Sequence, residues 1–231
     1  LERDLRAMGR KHLVRAEGEV HAAAPGVSVD TVSVDGTIAS YVADVGADMV
    51  VLGSRKSSAI RDLTLGSNTL RVMTHAQCPV LLLRNENDKA DVGRPIVVGI
   101  DGSEQSDRAL GAALEMADNL GAPVIAVNYW GFAAQAGIGM SAGYIDWQAV
   151  QEDEKRWLET HVEKMHEKYP AVQLTTVSAQ SSPTRGLRAL SASASMLVVG
   201  CRGRGALRGA ILGSVSQNLV HHAECSVLIV R

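Results

Sequence analysis

Between residues 96 and 231, apolar and polar positions follow two distinct rhythms. Residues 96–100 (Ile-Val-Val-Gly-Ile) and 124–127 (Val-Ile-Ala-Val) are short, nearly unbroken apolar runs, as expected of strands buried on both faces. Between them Ala109, Leu110, Ala113, Leu114, Ala117 and Leu120 recur at the spacing that lines one side of a helix, and Ser103 stands where a cap is needed. A second helix is predicted over about 147–168, presenting Val150, Trp157, Leu158, Val162 and Met165. Three more strands are predicted at 172–177, 196–199 and 226–230, separated by shorter helices near 184–193 and 214–222. Strand and helix alternate throughout, so the fold class is α/β: an open, doubly wound, five-stranded parallel sheet with helices on both faces and right-handed crossovers.

The sequence also matches itself. At an offset of 147, residues 47–84 (ADMVVLGSRKSSAIRDLTLGSNTLRVMTHAQCPVLLLR) lie over 194–231 (ASMLVVGCRGRGALRGAILGSVSQNLVHHAECSVLIVR), with sixteen of 38 positions identical. Upstream, residues 25–33 echo 170–178 at an offset of 145, which needs a two-residue indel. A period this long marks a duplicated domain, because solenoid units run to only about 20–50 residues. Two tandem copies are expected: a partial one over 1–84, a polar and aperiodic linker over 85–95, and a complete one over 96–231. Leu1 falls in the counterpart of the 147–168 helix, so the first copy lacks its first strand, first helix and second strand. A sheet without them would expose edges and apolar faces, and these residues are therefore expected to be part of a longer chain. The closing strands of the copies, near 80–83 and 227–230, are expected to pair with each other or with a second chain.

Composition narrows the possible partners. Lys and Arg number 23 against 25 Asp and Glu, a net charge of −2, which leaves no electrostatic footprint for nucleic acid or an anionic membrane. Any anion site must be local. One Phe, four Tyr and three Trp make base stacking an unpromising mode, and leave an aliphatic core. Cys78, Cys201 and Cys225 form no disulfide scaffold and no CxxC pair, there is no long apolar run, and the start of the sequence is charged; a reducing cytoplasm is expected. His75 and Cys78, like His222 and Cys225, share a His-x2-Cys spacing where a helix gives way to a strand. A cysteine entering a buried strand acts as a small hydrophobe, and further ligands are missing, so no metal is expected.

The second copy's fourth strand runs into Gly200-Cys201-Arg202-Gly203 and on to Gly213-Ser214, a spacing of Gly-x2-Gly-x9-Gly-Ser. Glycines after a strand let backbone N–H groups approach an anion, and Gly213-Ser214 opens a helix whose N-terminus attracts phosphate. Arg202, Arg204 and Arg208 add positive charge, with no acid from 200 to 209, so the ligand should be phosphorylated. There is no Gly-Lys-[Ser/Thr], and Gly203, Gly205 and Gly209 miss the dinucleotide spacing by one residue, so neither familiar phosphate motif applies. In a doubly wound sheet the loops after the first and fourth strands face each other across the ligand crevice, which brings Asp101-Gly102-Ser103 near the glycine loop.

With these residues in view, the second copy resembles the universal stress protein family in its ATP-binding branch. The whole looks like a tandem universal stress protein with an adenine nucleotide alpha hydrolase-like fold. The Gly-x2-Gly-x9-Gly-[Ser/Thr] motif is matched in full, and the first strand ends in Val-Gly-Ile-Asp-Gly-Ser. The resemblance implies that Asp101 contacts the nucleoside and that the Val127 region lines the adenine pocket. It also implies that Gly200, Gly203, Gly213, Ser214, Val215 and Ser216 surround ribose and phosphates, the ligand being ATP with or without magnesium. Arg202 and Arg204 are assigned to phosphate from their charge alone. Asp101 could instead be a helix cap, although Ser103 can fill that role, and the arginines could simply be solvated.

The expected function is that of a nucleotide-dependent regulatory or stress-response protein working through domain pairing and a homodimer, with no nucleic acid or membrane partner. No catalytic triad is evident, which leaves slow ATP hydrolysis, adenylation, or a nucleotide-free scaffold as alternatives. A single nucleotide site is expected, because the first copy's loop has Lys56 and Asp62 where the second has Gly203 and Gly209.

Overall fold

The computed structural model describes residues 2–34, 37–53, 67–84, 93–131, 146–205 and 212–231. The chain divides into two compact units, Leu1–Val45 and Gly46–Arg231.

The smaller unit holds two helices, α1 (Glu2–Ala23) and α2 (Ile38–Val45). On α1 an Arg15–Glu19 pair at 2.7 Å spans one turn, while Thr37 Oγ1 accepts the Ser40 N–H at 3.3 Å to close the start of α2. Residues 28–34 form no strand, although 25–33 echo a strand-forming segment of the second copy.

The larger unit contains β1 (Val50–Gly53), α3 (Ser67–His75), β2 (Val80–Leu83), β3 (Ile96–Gly99), α4 (Glu104–Leu120), β4 (Val124–Trp130), α5 (Trp147–His166), β5 (Leu174–Gln180), α6 (Pro183–Leu190), β6 (Met196–Gly200), α7 (Ser214–His222) and β7 (Ser226–Val230). The strands form one sheet in the order β1-β2-β7-β6-β3-β4-β5. From β7 to β5 the five strands of the second copy are all parallel. This is the doubly wound arrangement expected from the alternating pattern. β2 then adds to β7 in the antiparallel sense, with Val80 opposite Ile229, Leu81 opposite Leu228 and Leu82 opposite Val227, and β1 lies parallel to β2.

The helical stripe of α4 is buried at Ala109, Leu110, Ala113, Leu114 and Ala117, where it packs with Ile96, Val98 and Ile100 of the sheet and with Leu158 and Val162 of α5. Leu120 continues the spacing yet is 66% exposed, because the helix stops there and Gly121, at φ 62°, turns the chain toward β4. β4 runs three residues beyond the predicted apolar stretch. Asn128 looks like a break, but it is buried and donates through Nδ2 to the Ile100 carbonyl at 3.0 Å, so the strand continues to Trp130.

Candidate functional site

Strand order reverses between β6 and β3: the chain leaves β3 toward β4 on one side and returns to β6 on the other. Ligands of open α/β sheets bind at the carboxyl ends of the strands flanking such a reversal. Here those ends carry Asp101 to Ser103 after β3 and the glycine loop after β6.

Asp101 joins the two loops. Its Oδ1 accepts the Ser103 N–H at 3.0 Å and the Ser103 hydroxyl at 2.6 Å, while Oδ2 accepts the backbone N–H of Arg204 at 2.9 Å. Ser103 is the N-cap of α4, its Oγ accepting the Ser106 N–H at 3.2 Å. Asp101 therefore holds the cap rather than serving as one. Gly102 between them has φ +74°, a left-handed turn, and a side chain there would strike the Arg204 guanidinium and the Trp157 ring. Half-burial pushes the Asp101 carboxyl up, but hydrogen bonds from the Ser103 hydroxyl, the Arg204 N–H, the Ser103 N–H and the Ser106 side chain outweigh it. The net result lies below the ordinary carboxylate value. Asp101 is thus an anion at neutral pH, held by the protein's own donors from the start of α4 and from the glycine loop.

The glycines have separate jobs. A Cβ on Gly203 would fall inside the Asp101 carboxylate, so only glycine permits the link to Arg204. A Cβ on Gly200 would come within 2.7 Å of Gln105 Cβ and 2.9 Å of its carbonyl carbon, which makes this glycine a requirement of β6 packing on α4. Gly213 returns to the start of the loop: its N–H donates to the Cys201 carbonyl at 2.8 Å, and its Cβ position lies 3.8 Å from Gly203 N. Cys201 itself is buried, its N–H bonded to the Val230 carbonyl at 2.6 Å.

α7 begins at this convergence. Its N-cap is Gly213, with no side chain to close the first turn, whereas α4 and α5 are capped by Ser103 and Asp146. Ser214 is exposed, Val215 half-buried, and Ser216 buried with its hydroxyl donating to the Gly200 carbonyl at 2.7 Å. Val127 is buried on β4, opposite Gly99 in register, and its carbonyl accepts the Ile100 N–H at 2.8 Å.

The two arginines differ. Arg202 is exposed, while the Arg204 guanidinium carbon lies 5.6 Å from the centre of the Trp157 ring, a cation–π distance. Trp157 stacks on His161 at 4.9 Å, and His161 meets Asp107 at 2.7 Å. Arg204 thus uses its N–H for Asp101 and turns its side chain toward α5. Neither the Trp157 platform nor the Ser103 hydroxyl on Asp101 was evident in the sequence. Trp157 reads there as one more apolar helix position, and nothing local ties it to Arg204.

Arg208 and Gly209, the first copy's loop from 54 to 66 with Lys56 and Asp62, and residues 85–92 of the linker lie outside the described residues. Among the described residues, no group of three or more His, Cys, Asp or Glu gathers to hold a metal ion, and no helix is long and apolar enough to cross a membrane.

The chain belongs to the universal stress protein family, whose family model matches residues 2–84 and 93–231. It is 35% identical over 187 residues to universal stress protein Rv2005c of Mycobacterium tuberculosis, covering 80% of this chain and 62% of that one. Over the same length it is 30% identical to Rv2623 of that organism, with the same coverage. The chain thus spans under two thirds of the length of these relatives. Among solved structures, a universal stress protein from Archaeoglobus fulgidus superimposes with a TM-score of 0.69 at 17% identity, covering 99% of this chain and 77% of that one. A protein of unknown function from Pseudomonas aeruginosa gives 0.64 at 16% identity, covering 96% and 77%. At these identities the two structures speak for the fold.

Proposed function

We propose that the second copy binds ATP at the convergence of Asp101, Gly203 and the start of α7, and that the protein works as a nucleotide-dependent regulator. The observation that carries this reading is the return of Gly213 onto Cys201 and Gly203, beside an ionised Asp101. One end of the site is the positive end of a helix without a capping side chain, and the other is the Asp101 carboxylate. A ligand that is anionic at one end and rich in hydroxyl donors at the other matches both. Phosphates would take the N–H groups of Ser214, Val215 and Ser216, with Arg202 adding charge. The ribose would donate to Asp101, and Val127 would give the base an apolar wall. Magnesium enters this reading only as the companion of ATP.

The tandem organisation belongs to the same proposal: a partial copy over 1–84, a linker over 85–95 and a complete copy over 96–231, paired through β2 and β7. A homodimer would have to use another surface, since β2 occupies the free edge of β7. Cradling phosphates does not activate water, so any ATP turnover should fall far below the roughly 10 per second of a typical enzyme. Mass spectrometry of the denatured purified protein for adenine nucleotide, with calorimetric titration of ATP, tests the reading. One nucleotide per chain, lost on Gly203→Glu, is expected. No co-purifying nucleotide and no heat with millimolar ATP would refute it.

A further inference from the structure

Each repeat ends in an arginine, Arg84 and Arg231, which are counterparts at the offset of 147. The proposed nucleotide site uses neither. Arg84 follows β2 and is only 5% exposed. Its Nη1 donates to the Ala223 carbonyl at 2.6 Å, and its Nη2 to the Val220 carbonyl, with that of Leu219 at 3.5 Å. These are the carbonyls that close α7. Arg231, following β7, donates through Nη2 to the carbonyl of Met73 in α3. Met73 is the counterpart of Val220 at the same offset. The strands obey the same relation, because Leu81 lies opposite Leu228, its own counterpart. Each repeat therefore closes the last turn of the other repeat's helix with its own final side chain.

The last carbonyls of a helix have no partner within it, and its C-terminus favours a cation, so a buried guanidinium forked across two of them is a strong grip. α7 is only nine residues long, about 14 Å, and such a short helix moves as one rod. At one end stand Gly213 and Ser214, closing the glycine loop, and at the other Arg84 of the first repeat holds Val220 and Ala223. An anion at the N-terminus and a cation at the C-terminus favour the same ordered helix.

We propose that Arg84 is a positioning residue for the nucleotide site, coupling its occupancy through α7 to the pairing of the two repeats. This rests on the ATP reading above. Coupling of this kind is reciprocal: pairing strengthens nucleotide binding, and nucleotide strengthens pairing by the same factor.

The experiment combines ATP calorimetry with amide hydrogen exchange on the full chain. In the unmodified protein, saturating ATP should slow exchange at residues 80–83 and 227–230 at least threefold, a readout that needs no variant. Arg84→Gln should weaken ATP binding about fivefold or more and abolish that added protection. Arg84→Lys keeps the charge without the fork and should fall between. ATP that binds the unmodified protein without slowing exchange at the β2–β7 seam would overturn the coupling while leaving the ATP reading intact. So would equal ATP affinity in the folded Arg84→Gln variant. Absence of any ATP binding to the unmodified protein would refute both.

Discussion

Asp101→Asn is the substitution that most directly tests how the two loops are joined. Asparagine has the same shape, but it carries no charge and replaces one oxygen with an N–H₂ donor. The carboxylate's close contacts all come from donors: the Ser103 N–H and hydroxyl reach Oδ1 and the Arg204 N–H reaches Oδ2. The amide must therefore set a donor against a donor on one side. The milder orientation keeps its oxygen toward Ser103, loses the Arg204 bond and turns two charge-assisted bonds into neutral ones. Hydrogen bonds to a charged group contribute about 1.5–3 kcal/mol and neutral ones about 0.5–1.5 kcal/mol. One loss and two weakenings, reduced by screening at a half-exposed site, amount to about 1.5–3 kcal/mol. For a domain of this size that is on the order of 3–12 °C in Tm. Urea unfolding followed by tryptophan fluorescence suits the measurement, because Trp157 lies beneath Arg204. The pH dependence has a definite sign. The folded-state pKa of Asp101 is depressed below the ordinary 3.8, so its stabilisation is complete well above that value and is lost as pH falls through the folded-state value. The gap between the unmodified protein and the variant should be full at pH 7 and narrow only below about pH 4. A gap under about 0.5 kcal/mol at pH 7, or one that stays constant to the lowest pH at which the fold survives, would refute the reasoning.

Three further outcomes are expected. Gly203→Ala puts a methyl group into the Asp101 carboxylate and should lower stability by about 1–3 kcal/mol along with ATP affinity; a urea midpoint and titration curve like those of the unmodified protein would count against the assigned geometry. Gly186→Ala replaces a glycine within α6, a change that in an open helix stabilises by about 1 kcal/mol, but here the new Cβ meets the Tyr129 ring, so net destabilisation is expected in chemical melts and a net gain would disprove the contact. Burial, His222 and Arg84 hold the His221 pKa below 6.5, so the folded state resists its protonation and stability should fall as pH drops below about 6.5. Urea midpoints from pH 8 to 5 should show that slope in the unmodified protein and a shallower one in His221→Gln.

The alternating fold and the duplication were legible in the sequence because both rest on local regularity. Period-two and period-3.6 apolar patterns need only neighbouring residues, and the repeat and the glycine spacing can be counted along the chain. The Ser103 cap and the apolar stripe of α4 up to Ala117 follow from the same local rules. What failed was whatever depended on a distant partner. Asn128 looks polar enough to end a strand until the Ile100 carbonyl is found beside it. The sequence suggested that Asp101 and the glycine loop share a crevice, but it could not show that the carboxylate is bonded to an N–H 103 positions away. Nor could it show that Arg204 leans on Trp157, or that Arg84 grips α7 across a gap of about 135 residues. Periodicity states which face of an element is buried, whereas packing of the sheet decides what that face meets, and in this protein the strand reversal between β3 and β6 and the antiparallel seam of β2 and β7 make those meetings.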